Sequence, residues 1–99
     1  MSSDLSVDEI NNRIYVTNLN TGNSSNVLAY VIDANTNTLL GTINLDRNVN
    51  TRSVSINADA RRAYLSDLES DSIYVIDTVT NNVIQELPFR AFALASYTP

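Results

Sequence analysis

The chain has no cysteine and no histidine among its 99 residues. Without cysteine there can be no disulfide, thiolate nucleophile or Cys-ligated zinc. Without histidine the commonest general base and the commonest imidazole metal ligand are missing. Cationic side chains are scarce: 6 Lys and Arg against 11 Asp and Glu give a net charge of −5. Nucleic acid is bound by displacing counterions with Lys and Arg, so this composition argues against a DNA or RNA binder. An anionic membrane surface is disfavoured for the same reason. The longest apolar run, Val27-Leu28-Ala29-Tyr30-Val31-Ile32, falls far short of the roughly 20 residues of a transmembrane helix. No basic segment followed by an apolar stretch opens the chain, so no secretory signal is read there.

Glycine and proline occur only twice each. Asn, Ser and Thr are abundant, and their side chains bond nearby backbone in turns and at strand ends. Asn is expected to occupy many of the left-handed turn positions that glycine would otherwise take. Hydrophobic residues make up 43% of the chain, enough for a core in one ordinary domain. No helical periodicity persists. The nearest stretch, Arg90-Ala91-Phe92-Ala93-Leu94-Ala95, is too short.

The chain repeats itself. Residues 5–16, LSVDEINNRIYV, overlie residues 54–65, VSINADARRAYL, at an offset of 49 that places Tyr15 over Tyr64. Residues 29–43, AYVIDANTNTLLGTI, overlie residues 73–87, IYVIDTVTNNVIQEL, at an offset of 44 that places Asp33 over Asp77. The difference puts an insertion in the first copy, within Leu19 to Asn26. Repeats of about 40 to 50 residues holding several short strands are the pattern of propeller blades. The first copy is predicted to form strands at Leu5 to Val7, Arg13 to Thr17, Val27 to Asp33 and Thr38 to Leu45. The second gives Arg52 to Asn57, Arg62 to Ser66, Ser72 to Asp77 and Asn82 to Leu87. Phe92 to Ser96 reads as the first strand of a third unit. Short polar links imply antiparallel neighbours.

The third strand of each copy is apolar without alternation, as Val31-Ile32 and Ile73-Tyr74-Val75-Ile76 show. Such a strand is buried on both faces. Two blades cover only the face they share. Each large side chain left in water forgoes about 1.5–3 kcal/mol of burial. The chain is therefore expected to be an incomplete ring alone.

Arg13-Ile14-Tyr15-Val16-Thr17-Asn18, followed by Tyr30-Val31-Ile32-Asp33 and Asn35-Thr36-Asn37-Thr38, resembles the YVTN family of β-propeller repeats. Arg61-Arg62-Ala63-Tyr64-Leu65-Ser66-Asp67 and Tyr74-Val75-Ile76-Asp77 repeat the pattern in degenerate form. The resemblance covers most of residues 5 to 87. It implies a ring of blades, often built in one long chain, in surface-layer and secreted proteins; an extracellular or cell-surface location is implied by it alone. The family's Pro-Asp-Gly-Arg turn is replaced here by Ala58-Asp59-Ala60-Arg61 and by Glu9-Ile10-Asn11-Asn12. A left-handed backbone at the glycine position would cost Ala60 roughly 1 kcal/mol and suit Asn11 better.

These readings give an all-β chain of four-stranded antiparallel propeller blades. Residues 1–50 form the first blade and 51–89 the second. Residues 90–99 supply the first strand of a third blade or a swapped strand. Nine strands leave one to spare. Either Leu5 to Val7 is displaced by Phe92 to Ser96 of a neighbour, or the chain is part of a longer propeller. Partners are a homo-oligomer or the remaining blades, with a protein partner possible and no membrane insertion.

No residue is assigned to catalysis, cofactor or metal. Tyr15 and Tyr64 are read as packing between blades rather than stacking a ligand. Asp33 and Asp77 are read as accepting backbone N–H groups of the following turn, in preference to a catalytic pair. Asp67-Leu68-Glu69-Ser70-Asp71 has oxygen ligands at alternate positions, as calcium loops do. It lacks the glycine and the following bidentate Glu, and is read as solvated charge. Asn23-Ser24-Ser25 fits a glycosylation acceptor in the inserted loop, and Asn18 to Asn26 is the first candidate contact surface. Arg61 and Arg62 with Arg52 and Arg47 are the only basic concentration, read as a solvated strand end. A non-enzymatic scaffold is the expectation. The alternatives are a fragment or subunit of a lactonase-like or quinoprotein dehydrogenase-like propeller, and a half-propeller whose task is ring formation.

Overall fold

The computed structural model describes residues 4–17, 26–67 and 71–88. Those residues contain eight strands and no helix. They are β1 (Leu5–Asp8), β2 (Arg13–Thr17), β3 (Val27–Asp33), β4 (Thr38–Asn44), β5 (Ser53–Asn57), β6 (Arg62–Asp67), β7 (Ser72–Asp77) and β8 (Asn82–Pro88). They form two four-stranded sheets, ordered β1-β2-β3-β4 and β5-β6-β7-β8, with every pair antiparallel. The all-β expectation is met, and the strands fall within a residue of their predicted ends. Phe92 to Ser96 lies outside the described residues. Leu5–Asp8 pairs with Arg13–Val16 of the same chain.

The two sheets share their register, except that the shift between Val27 and Ala29 has no counterpart in the second. Tyr15 pairs with Val31 as Tyr64 pairs with Val75. The register shift between Val31 and Ile32 recurs between Val75 and Ile76. The turns after β3 and β7 are also alike. Asp33 Oδ1 accepts from Asn35 N at 2.8 Å, and Asp77 Oδ1 from Val79 N at 2.8 Å. The Asp33 and Asp77 carbonyls accept from Asn37 N and Asn81 N, each at 2.7 Å. Asn37 and Asn81 both sit at φ 59°, in the left-handed region. Both aspartates thus hold turns, as expected of an Asx geometry.

Five described non-glycine residues have positive φ: Asn12, Asn37, Arg61, Asp71 and Asn81. Three are asparagine, as the scarcity of glycine implied. In the β1–β2 and β5–β6 turns, however, the left-handed residues are Asn12 and Arg61, not Asn11 and Ala60. The reason lies in how each turn is closed. Asp8 Oδ1 accepts from Ile10 N and Asn11 N, and Asn57 Oδ1 accepts from Ala60 N. Those caps hold the first turn residues in ordinary conformations, and the chain reverses one residue later.

Burial shows how the sheets meet. Side chains alternate between the two faces of a strand. In the first sheet Tyr15, Thr17, Ala29, Val31 and Ile43 are buried, while Leu5, Val7 and Leu39 on the opposite face are 60%, 46% and 62% exposed. In the second sheet the parity is reversed. Val54, Ala63, Leu65, Tyr74 and Ile76 are buried; on the other face Tyr64 is 37% exposed, while its partner Val75 is only 6% exposed. By the repeat offsets Val54, Ala63, Leu65, Tyr74 and Ile76 correspond to Leu5, Ile14, Val16, Tyr30 and Ile32. The front of the first sheet therefore packs on the back of the second. One hydrophobic cluster joins them, with Val49 of the connecting segment inside it.

Candidate functional site

Polar contacts fix the stacking of the sheets. The Tyr15 hydroxyl donates to Asn81 Oδ1 at 2.6 Å. Asp4 Oδ2 accepts from Val54 N at 3.1 Å. In the connecting segment, the buried Thr51 hydroxyl donates to the Leu28 carbonyl at 2.6 Å, and Asp67 Oδ2 accepts from Asn50 N at 3.3 Å. Burial raises the Tyr15 pKa above its usual value near 10, opposed in part by Arg13.

Arg47 clasps the far edge of the second sheet. Its guanidinium donates to Glu86 Oε1 and to the Tyr74 hydroxyl, the latter at 3.3 Å, and lies 5.8 Å from the centre of the Tyr74 ring. Hydrogen bonds from Arg47 and from the Ser72 hydroxyl hold the Glu86 carboxyl below its usual pKa.

The four arginines do not form a patch. Arg62 begins β6, whereas Arg52 N bonds the Ser66 carbonyl near the other end of that strand. About 3.3 Å per residue sets the two ends of β6 more than 10 Å apart. Arg47 is engaged elsewhere. Sequence proximity had grouped side chains that an antiparallel hairpin separates.

Two other expectations are corrected. Tyr64 does not pack between the sheets of this chain. Its position is equivalent to Tyr15, but the second sheet turns its other face inward. Asp67 is not a solvated charge: it is 3% exposed and accepts a backbone N–H from the segment joining the sheets. Leu68 to Ser70 lie outside the described residues, as do Asn18 to Ser25 with the glycosylation triplet. Among the described residues no group of three or more acidic side chains is placed to hold a metal ion.

A shallow cleft of about 210 Å³ is lined by Val31, Leu40, Gly41, Thr42 and Asn81. Small-molecule sites usually enclose roughly 300–1,000 Å³ and gather several polar groups. Among the described residues the larger surface features are the back of the first sheet and, on the front of the second, Tyr64. The back of the first sheet presents Leu5, Val7, Ile14, Val16, Tyr30, Ile32 and Leu39, together with the polar Thr42 opposite Tyr30. Asn81 and Asn37, which the repeat offset aligns, are the polar residues that sequence reasoning passed over. No family model matches the chain, and no curated protein is found similar to it.

Proposed function

We propose that the chain is a non-enzymatic β-propeller repeat module of YVTN type. It serves as a structural or protein-binding scaffold, and its ring is completed by further copies or by the blades of a longer propeller. The observation that carries this reading is the front-to-back packing of two equivalent sheets, which leaves one front and one back with no sheet against them among the described residues. A face-to-back interface does not close on itself in a pair; it continues until a ring or filament forms. Exposed Leu5, Val7, Leu39 and Tyr64 then find cover in the next unit, as large apolar patches on soluble domains generally do.

Thermal unfolding over a hundredfold range of protein concentration tests the reading. Assembly links stability to concentration by mass action. The midpoint rises with concentration if copies complete the ring. A midpoint that stays constant, with a cooperative transition, would count against it.

A further inference from the structure

We infer that a second copy of this chain docks the back of its first sheet on the front of this chain's second sheet, and that Tyr64 donates its hydroxyl to Asn37 of that copy. The inference rests on the repeat-module reading above and names its partner and register. The internal interface supplies the template. Tyr15 donates to Asn81 across it at 2.6 Å. Tyr64 is the equivalent of Tyr15, and Asn37 is the equivalent of Asn81.

The donor and acceptor are each held as their templates are. Tyr64 lies opposite Val75 and Ser55, as Tyr15 lies opposite Val31 and Ser6. Asn37 has the φ of 59° of Asn81 and the same 2.7 Å bond to the preceding aspartate carbonyl. Both side chains are exposed, with no hydrogen-bond partner among the described residues.

The apolar surfaces match in the same register. Val7 and Leu39 correspond to Ile56 and Val83, which pack against the internal cluster. The front of the second sheet carries half-buried Ile73 and Leu87 where the first carries Ala29 and Ile43, while Val75, the equivalent of Val31, is itself 6% exposed. The second copy is thus the occupant that continues an interface already present in the chain. Such a junction is heterologous: front meets back, and neither face pairs with itself.

Two blocking variants test this by mixing. Tyr64→Glu places a charge on the front, and Leu39→Glu places one on the back, both at exposed positions; circular dichroism checks that each folds. Each variant alone is expected to remain a single chain by light scattering. Their equimolar mixture retains one unblocked front and one unblocked back, and is expected to form a one-to-one dimer. Tyr64→Phe and Asn37→Gly, which leave the backbone undisturbed, are each expected to weaken a junction about fivefold. Self-association of either blocked variant, or a mixture that fails to associate while the unaltered chain assembles, would overturn the inference and leave the repeat-module reading standing. An unaltered chain that stays single at every concentration would overturn the inference and, with it, completion of the ring by copies of this chain.

Discussion

Tyr15 and Asn81 stand 66 residues apart in the chain, yet they share a 2.6 Å hydrogen bond that ties the front of one sheet to a turn of the other. Tyr15 is fully buried, its ring inside the cluster that both sheets build. The single side chain therefore joins apolar packing to a directional bond, which fixes the sheets laterally as well as in depth.

Tyr15→Phe is expected to cost about 1 kcal/mol, the worth of a typical internal hydrogen bond. Tyr15→Ala should cost about 3–5 kcal/mol, because a ring-sized cavity is added. Denaturant titration of both variants measures the difference. The raised pKa of Tyr15 adds a pH signature. Its stabilisation is fully present below the unfolded tyrosine value near 10 and is lost as pH rises through the folded value. The unaltered chain should lose stability on that alkaline limb more steeply than Tyr15→Phe.

Arg61 holds a left-handed conformation, φ 58°, that costs a residue with a Cβ roughly 1–2 kcal/mol. Its counterpart is Asn12, at φ 55°. Arg61→Asn should raise stability by about 0.5–1 kcal/mol, since asparagine tolerates this region better. Arg61→Val should lower it. Unfolding midpoints of the two variants compared with the unaltered chain check the sign.

The Thr78 hydroxyl is buried without a hydrogen-bond partner. The equivalent position in the first sheet is Ala34, whose backbone N–H bonds the Asn12 carbonyl as that of Thr78 bonds the Arg61 carbonyl. Thr78→Val keeps the shape and removes the unsatisfied group, for an expected gain of about 1 kcal/mol. Denaturant unfolding would show no gain, or a loss, if that hydroxyl were contributing.

Glu86 is paired with Arg47 at a partly exposed site. Its lowered pKa means that the stabilisation is present above the unfolded glutamate value near 4.3 and is lost as pH falls through the folded value. Exposure keeps the pair's contribution small, and salt screens it. Glu86→Gln should therefore flatten a small part of the acid limb, as pH falls below the unfolded glutamate value, at low salt and change little in strong salt. Unfolding curves along that limb decide it.

The strands were legible because the repeat fixes them twice. Where one copy is ambiguous, its partner settles the register, and β2, β3 and β7 have their predicted ends. Facing was less legible. Tyr15 and Tyr64 have the same residue type, the same strand and the same pairing, yet one is buried and one is not. No local pattern distinguishes them, because the difference arises from which side the neighbouring sheet occupies. The turn residue of β5–β6 was misplaced by one because the glycine of the resembled YVTN pattern falls at Ala60, while the caps push the reversal to Arg61. Asp67 looked solvated because its acceptor role depends on Asn50, in a connecting segment whose path the sequence does not announce. The Tyr15–Asn81 contact did have a signal: the offset that aligns Asp33 with Asp77 also aligns Asn37 with Asn81.

The unpaired front and back are proposed to join copies of this chain, and its mass in solution tests that most directly. Light scattering during size-exclusion chromatography should give an integer multiple of 10.9 kDa, with three copies for about six blades or four for about eight, within the usual four to eight of a closed propeller. A folded species of 10.9 kDa at every concentration would contradict assembly through those faces.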